Sequence, residues 1–112
     1  MAIDRELVVK VAMQSHVQPS DVTGLSPAYQ QWKNPDVERD ATWVRYDPEA
    51  ASQLLDKAGF PKDERGRRDL DLEMIVISGW TDWVRALQVI GQNLESIGIR
   101  THVRIMDMGA WS

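Results

Sequence analysis

The sequence contains no cysteine, which excludes disulfide bonds and thiolate chemistry. No apolar run approaches the ~20 residues that a membrane-spanning helix requires. The opening stretch MAIDRELVVKVAM carries acidic and basic residues inside its apolar pattern, unlike a secretory signal peptide. With 13 basic and 17 acidic residues the net charge is −4, so the charge balance does not favour nucleic acid or an anionic membrane as a partner.

The usual signatures of catalytic and metal sites are also missing. His16 and His102 lie far apart in the sequence, and no HxxxH or HExxH spacing accompanies them. Counting back from Gly66 in the turn DERGRRD places Pro61 where a calcium loop needs its first ligand. No glycine-rich phosphate loop and no GxSxG motif occurs. We therefore expect a protein that is not an enzyme and that needs neither a metal nor a cofactor.

What remains is the composition of a soluble globular domain. Hydrophobic residues make up 43% and charged residues 27% of the 112 residues, a length that suits one domain or part of one. The pattern begins inside a helix and stops at GAWS without a closing element. We expect residues 1–112 to form a single fragment of a longer protein.

Two segments carry clear helical signals. The first is the N-terminal stretch, whose apolar residues recur at helical spacing and are Ile3, Leu7, Val8 and Val11. The second is YDPEAASQLLDKAGF, in which Asp47 can cap the helix, Pro48 suits its first position and Gly59 supplies the left-handed stop. Its predicted apolar face consists of Ala51, Leu54, Leu55 and Ala58.

Residues 15–46 are predicted to form a long loop, because prolines interrupt a polar stretch without a sustained period. Within it, SPAYQQW favours a short helix with Ser26 as the cap. Trp32 and Trp43 are expected to anchor this loop on the body of the protein. The later turn PKDERGRRD is expected to be solvated.

Residues 70–106 predict a strand–helix–strand unit. LDLEMIVIS reads as a strand whose apolar end is buried on both faces. A long amphipathic helix follows and stops at Gly98, and IRTHVRI then alternates as a half-exposed strand. Short connections between these elements predict a right-handed crossover with parallel strands, and therefore the α/β class. The helix's predicted apolar stripe consists of Val84, Leu87, Ile90, Leu94 and Ile97.

The stretch SGWTDW lies where the first of these strands meets the helix. In open α/β sheets this carboxyl edge is where ligands bind. Thr81 is the predicted N-cap and Asp82 a first-turn acid, so both also have structural roles available. Two interpretations of Trp80 and Trp83 stay open: they pack in the core, or they form a platform for a flat ligand. Indole faces and a carboxylate are what a sugar ring with its hydroxyls requires.

Several segments in this order resemble one known family. AIDRELVVKVAM, GLSPAY, YDPEAASQLLDKAGF and LDLEMIVISGWTDWVRALQVIGQNLESIGIRTHVRIMD follow the order found in the middle of family 5 extracellular solute-binding proteins of ABC importers. That family includes dipeptide-, oligopeptide- and cello-oligosaccharide-binding proteins. GLSPAYQQW and SGWTDW are most similar to the oligosaccharide-binding branch. Members have two lobes that close over a ligand, so the resemblance implies a piece of the second lobe, of the type II periplasmic-binding-protein fold.

The resemblance also implies a function and a site. Ligand contacts follow the matching strand in peptide-binding relatives, which points here to Gly79, Trp80, Thr81, Asp82 and Trp83. The expected partners are an oligosaccharide, ahead of an oligopeptide, and a membrane permease. The parent protein would be periplasmic or extracellular, either anchored to the membrane or secreted. Because the sheet of such a fragment lacks partner strands, self-association is also expected.

Two alternatives from other functional classes stay open at this stage. One is a small α/β hydrolase that uses Asp82 as a base, which would require a partner acid or metal. The other is an adaptor domain that binds proteins through its tryptophan-rich loop. A buried SGWTDW stretch together with an exposed patch at Trp32 and Trp43 would favour the adaptor.

Overall fold

The computed structural model describes residues 1–112, which form two strands, five α-helices and two short 3-10 helices. No helix has both the length and the apolar character needed to cross a membrane. In chain order the elements are α1 (Arg5–Ala12), a 3-10 helix (Pro27–Trp32), α2 (Pro35–Asp40), a second 3-10 helix (Thr42–Val44), α3 (Pro48–Lys57), β1 (Asp71–Ile77), α4 (Thr81–Ser96), β2 (Arg100–Met106) and α5 (Met108–Trp111).

The predicted strand–helix–strand unit is present. Strands β1 and β2 pair in parallel, in a register that runs from Asp71 opposite Arg100 to Ile77 opposite Met106. Helix α4 connects them and contacts both strands. The chain therefore has the predicted α/β class, with both carboxyl strand ends at one edge of a two-stranded sheet.

Helix α4 is covered from two sides, by the sheet and by α1. The predicted stripe is for the most part only half-buried, and Ala86 and Val89 beside it are buried more deeply. Close approach to the sheet explains Gly91, where a Cβ would meet Thr101 Oγ1 at 3.1 Å and Met74 Cε at 3.2 Å. Packing on two faces has moved the most buried positions away from the single stripe that the sequence period predicted.

Helix α3 follows its local signals closely. The Asp47 carboxylate accepts a hydrogen bond from the amide of Ala50 at 2.9 Å, and Pro48 occupies the first turn. Gly59 has a φ of +92°, the left-handed stop that the sequence predicted. Ala51 is buried against Ile97 and Ile99, with partly buried residues around them. Of the predicted apolar face, Leu54 and Ala58 are exposed.

Residues 15–46 contain more helix than the single short one that was predicted. Ser26 caps the first 3-10 helix as expected, accepting from the amide of Ala28 at 3.3 Å. An ion pair holds the segment together: the Lys33 ammonium contacts the carboxylate of Asp21 and lies 4.0 Å from that of Glu38. Trp32, expected to anchor the loop, is instead 74% exposed. Trp43, the other predicted anchor, is 60% exposed. The ion pair joins residues within the segment, and a hydrogen bond from Arg5 to the carbonyl of Ser20 joins the segment to α1.

The turn before β1 is not wholly solvated, because Arg68 is only 2% exposed. Its Nε donates to the carbonyl of Ile97 at 2.6 Å, and its Nη1 lies 2.6 Å from Asp56 Oδ1. Further hydrogen bonds reach Ser52 and the carbonyl of Phe60. The sequence prediction was wrong at this residue, because the groups that surround it come from distant parts of the chain.

Candidate functional site

The corner 78–83 lies at the carboxyl edge of the sheet. The Ser78 amide donates to the carbonyl of Met106 at 2.7 Å, which extends the ladder to the last residue of β2. Gly79 then turns the chain with a φ of +85°. Trp80 occupies the N-cap position of α4, so the prediction of Thr81 as the cap was wrong by one residue. With no side-chain cap bond on this helix, the Thr81 side chain is not committed to capping.

The two indoles of the corner lie against each other, and both are exposed to solvent. Trp80 is 44% exposed and Trp83 is 53% exposed. Their ring centroids are 5.8 Å apart and the ring planes are inclined by 55°. A tilted pair at this distance is a favourable aromatic geometry. Neither ring fills the core, which removes the packing interpretation of the pair.

Asp82 lies in the first turn of α4, between Trp80 and Trp83 in the sequence. Its Oδ1 accepts a hydrogen bond from the amide of Trp83 at 2.9 Å. The residue is exposed, and the positive end of the helix favours its negative charge. A carboxylate has two oxygens with about four lone-pair sites, so acceptor capacity remains for a ligand.

Helix α5 lies at the same edge of the sheet as this corner. It follows β2 directly and contacts β1. Asp107 caps it, accepting from the amide of Ala110 at 2.8 Å. Met108 and Trp111 on this helix are both more than half exposed. No sequence signal assigned a role to Trp111, and the sequence predicted no closing element where α5 forms.

The largest cleft of the chain lies elsewhere, between α1, residues 17–22, Trp43 and Ile90. Its volume is about 610 Å³, and ten of its 13 lining residues are hydrophobic. Its polar members are already occupied: Arg5 donates to the carbonyl of Ser20, and Asp21 is paired with Lys33. A large apolar pocket is the usual first candidate for a ligand site. Here the two charged side chains are engaged within the protein, whereas the corner presents exposed aromatic and polar side chains, so we place the candidate site at the corner.

The hydrolase and the adaptor alternatives make different structural requirements, which can be compared with this geometry. The hydrolase would need a partner acid or metal near Asp82, and no group of three or more His, Asp or Glu side chains is placed to hold a metal ion. The adaptor would need a buried corner beside an exposed patch. Trp32 and Trp43 are exposed, but so are Trp80 and Trp83. Only half of the adaptor's condition is met.

Comparison with known proteins identifies one family. The family model described as "Bacterial extracellular solute-binding proteins, family 5 Middle" matches residues 1–112. A comparison with curated proteins finds no significant match.

Solved structures of such proteins superpose on nearly the whole chain. An oligopeptide ABC transporter periplasmic oligopeptide-binding protein from Thermotoga maritima, with bound mannohexaose, is 29% identical with a TM-score of 0.89. The match covers 98% of this chain and 22% of that one. An oligopeptide-binding protein from Thermus thermophilus, complexed with a pentapeptide, is 23% identical with a TM-score of 0.72, covering 96% and 18%.

A third structure extends the range of bound ligands. NikZ from Campylobacter jejuni, in complex with Ni(L-His), is 22% identical with a TM-score of 0.71, covering 97% of this chain and 22% of that one. At these identities the Thermus and Campylobacter proteins show a shared fold only. This chain thus spans about a fifth of the length of the proteins it matches. Its α/β architecture is that of part of a lobe of the type II periplasmic-binding-protein fold.

Proposed function

This chain belongs to the bacterial extracellular solute-binding proteins of family 5, and from that premise we propose that the complete protein captures a solute for an ABC importer. The role is binding without catalysis. Capture takes place in the periplasm or at the cell exterior, and the loaded protein delivers its ligand to a membrane permease. The complete protein is either anchored to the membrane or secreted.

The ligand lies between two hinged lobes, and this chain supplies part of the second. Open and closed states exchange, and the ligand favours the closed state because only there does it touch both lobes. The corner 79–83 is the ligand-contacting surface on this side. Support comes from its place at the carboxyl edge of a parallel pair and from its exposed side chains.

The single observation that carries the ligand class is the pair of exposed indoles with ring centroids 5.8 Å apart, together with the exposed carboxylate of Asp82 in the same turn of the chain. An indole face stacks on the apolar C–H face of a pyranose ring, and a carboxylate accepts from its hydroxyls. We therefore propose an oligosaccharide. The Thermotoga protein, although named for oligopeptides, has mannohexaose bound.

An oligopeptide is the second candidate, favoured by the names of the Thermotoga and Thermus proteins. Peptide main chains are usually recognised by backbone hydrogen bonds. At this corner the amides of Ser78, Trp80 and Trp83 already donate within the protein. Part of the corner's backbone is therefore unavailable to a peptide, whereas its side chains are exposed.

Calorimetric titration of the complete protein tests this proposal. Mannohexaose and cellohexaose are compared with a mixed pentapeptide, on the wild type and on a Trp80→Ala, Trp83→Ala double variant. We expect a hexaose to bind, the double variant to lose most of that affinity, and the pentapeptide to bind more weakly or not at all. Tight pentapeptide binding that the double variant retains would contradict both the ligand class and the site.

The isolated chain should also self-associate. The sheet has only two strands, so each strand presents an unpaired edge, and the strand residues Ile75 and Ile105 are exposed. Sedimentation velocity of the 112-residue chain should show species heavier than 12.8 kDa that dissociate on dilution. A single monomeric species over a hundredfold concentration range would contradict this.

A further inference from the structure

We propose that the amino edge of the sheet carries a second binding site, which takes a phosphate group between Arg65, Arg67 and Arg100. This edge is opposite to the one that bears the corner 79–83, because the paired residues Asp71 and Arg100 begin the two parallel strands. The proposal therefore goes beyond the capture of a solute and does not depend on which solute is captured.

The turn before β1 holds its first two arginines in place through backbone hydrogen bonds. Oδ1 of Asp63 accepts from the amides of Arg65 and Arg67, each at 2.9 Å. The amide of Arg68 donates to the carbonyl of Gly98 at 2.7 Å, which fixes the turn beside the connection from α4 to β2. The backbone that bears these arginines is thus ordered before a ligand arrives, which lowers the entropic cost of binding.

Two polar hollows meet at the arginines. The first has a volume of about 370 Å³ and the second of about 430 Å³. Arg65, Arg67 and Arg100 line both hollows, and no other residue does. Each hollow has a single hydrophobic lining residue. Such a lining suits a charged group that accepts hydrogen bonds and offers little to the apolar face of a sugar ring.

The charges of the three arginines are not neutralised within the chain. All three are exposed, and none takes part in an ion pair. The only carboxylate that lines the first hollow is that of Glu95, so three guanidinium groups and one carboxylate leave a net charge of +2. His102 also lines this hollow, but its Nε2 lies 2.9 Å from Oδ1 of Asp71. A chain with an overall charge of −4 thus gathers unpaired positive charge at one place.

The second hollow has the same sign of charge. Lys62, which takes part in no ion pair, adds a fourth cation there, and the lining carboxylates are those of Asp63 and Asp69. Arg68 lines this hollow too, but its charge is paired with Asp56 at 2.6 Å. Four unpaired cations and two carboxylates again leave a net charge of +2.

The guanidinium group determines the chemistry of the ligand. Its planar fork can donate two parallel hydrogen bonds to a phosphate. A phosphate monoester carries a charge of about −1.5 to −2 at neutral pH and three strong acceptor oxygens, which complements three guanidinium groups with a net charge of +2. A soluble phosphate ester and the headgroup of an anionic phospholipid both present phosphate oxygens, so either source fits the site.

The test uses the complete protein with one probe for each source. Glycerol 3-phosphate is titrated by calorimetry, and co-sedimentation is measured with vesicles of phosphatidylcholine, with and without phosphatidylglycerol. The wild type is compared with an Arg67→Gln, Arg100→Gln double variant. The matched control is an Arg39→Gln, Arg45→Gln double variant, which removes two exposed positive charges elsewhere. The thermal midpoint verifies that each variant is folded.

The expected result is binding that the site variant weakens and the control does not. The wild type should bind glycerol 3-phosphate, phosphatidylglycerol vesicles or both, and the probe that binds identifies the source. The Arg67→Gln, Arg100→Gln variant should bind that probe about tenfold more weakly or worse, because two charged donors are lost. A wild type that binds neither probe, or an equal loss in both double variants, would overturn the proposal.

Oligosaccharide affinity separates this proposal from the proposed function. It should be the same in the wild type and in both double variants, because the arginines lie at the opposite edge of the sheet from the corner. A wild type that binds no oligosaccharide overturns the ligand class proposed for the corner and leaves the phosphate measurement to decide this proposal alone.

If the Arg67→Gln, Arg100→Gln variant does not fold, Arg65→Gln decides the question. Arg65 is an exposed turn residue, and its replacement should weaken binding of the same probe by about threefold, the effect of one exposed charge. A folded Arg65→Gln variant that binds the probe as tightly as the wild type would overturn the proposal.

Discussion

Arg68 Nη1 lies 2.6 Å from Asp56 Oδ1, and the guanidinium that makes this contact is almost completely enclosed. The same side chain donates to the carbonyls of Ile97 and Phe60 and to Ser52. It thereby joins the end of α3, the turn after it and the end of α4. Arginine suits this position, because its planar fork can satisfy several acceptors at once and stays charged when buried.

Replacing Arg68 should therefore be costly. Arg68→Met keeps most of the apolar stem and removes every donor, leaving buried carbonyl groups without partners. We expect a loss of about 3 kcal/mol in the free energy of unfolding, measured by urea denaturation. Arg67→Met changes an exposed neighbour and should stay within about 0.5 kcal/mol of the wild type. Equal effects of the two substitutions would contradict the role assigned to Arg68.

Substitution of Gly98 by alanine should destabilise the fold for two separable reasons. Its φ is +93°, and an added Cβ would lie 2.7 Å from the carbonyl oxygen of Gly66 and 3.1 Å from Arg68 Cγ. Gly59 has almost the same φ, +92°, with open space around the Cβ position. Gly59→Ala should thus cost about 1 kcal/mol for the backbone alone.

The matched comparison isolates the collision at Gly98. Gly98→Ala should cost at least about 2 kcal/mol more than Gly59→Ala, since backbone atoms and the buried Arg68 must move to admit the methyl group. Thermal unfolding of both variants measures the difference. If the two alanine variants melt at the same temperature, the close contact with Gly66 does not constrain the fold.

The sequence correctly predicted those structural features that depend on residues close together in the chain. The Asp47 cap, Pro48 in the first turn and the Gly59 stop all involve groups within a few positions of one another, and all three are present. The alternation and helical period of residues 70–106 likewise gave the parallel pair. Local propensity and periodicity are informative wherever tertiary contacts do not override them.

The predictions that failed depend on distant residues. Arg68 reads as part of a charged turn, because its partners Asp56 and Ile97 lie 12 and 29 positions away. For Trp83 the sequence left core packing and a ligand platform open, and the structure shows it 53% exposed. The corner 78–83 could be placed at a strand end from the sequence, but the exposure and tilt of its indoles could not.

The stability of residues 15–46 should depend on pH through Asp21. The Lys33 ammonium, and next the Thr23 hydroxyl, hold the pKa of the Asp21 carboxyl well below its usual range. A carboxyl whose pKa is lower in the folded state stabilises the fold above its unfolded pKa of about 4. That contribution is lost progressively as the pH falls below about 4 towards the lowered value.

Asp21→Asn tests this dependence. The variant should be less stable than the wild type at pH 7, and the difference should shrink as the pH is lowered from about 5 to 2. Asp40→Asn, which changes an exposed carboxylate paired with Arg39, is the control and should show a much smaller difference. Thermal midpoints across this pH range provide the measurement. A gap between Asp21→Asn and wild type that stays constant with pH would contradict the assigned cause.

Asp82 should contribute to ligand affinity through its charge and not through the fold. Asp82→Asn keeps an oxygen that can accept from the amide of Trp83, so the first turn of α4 should be retained. The variant loses the charged acceptor that we assign to sugar hydroxyls. A hydrogen bond to a charged group contributes about 1.5 kcal/mol or more, so oligosaccharide affinity should fall about tenfold or more.

Calorimetry on the complete protein measures that loss, and the thermal midpoint without ligand should stay near that of the wild type. Because Trp80 and Trp83 remain in place, the residual binding should keep the wild-type preference for sugars over a pentapeptide. An Asp82→Asn variant with unchanged sugar affinity would remove the carboxylate from the site and leave stacking as its only contribution.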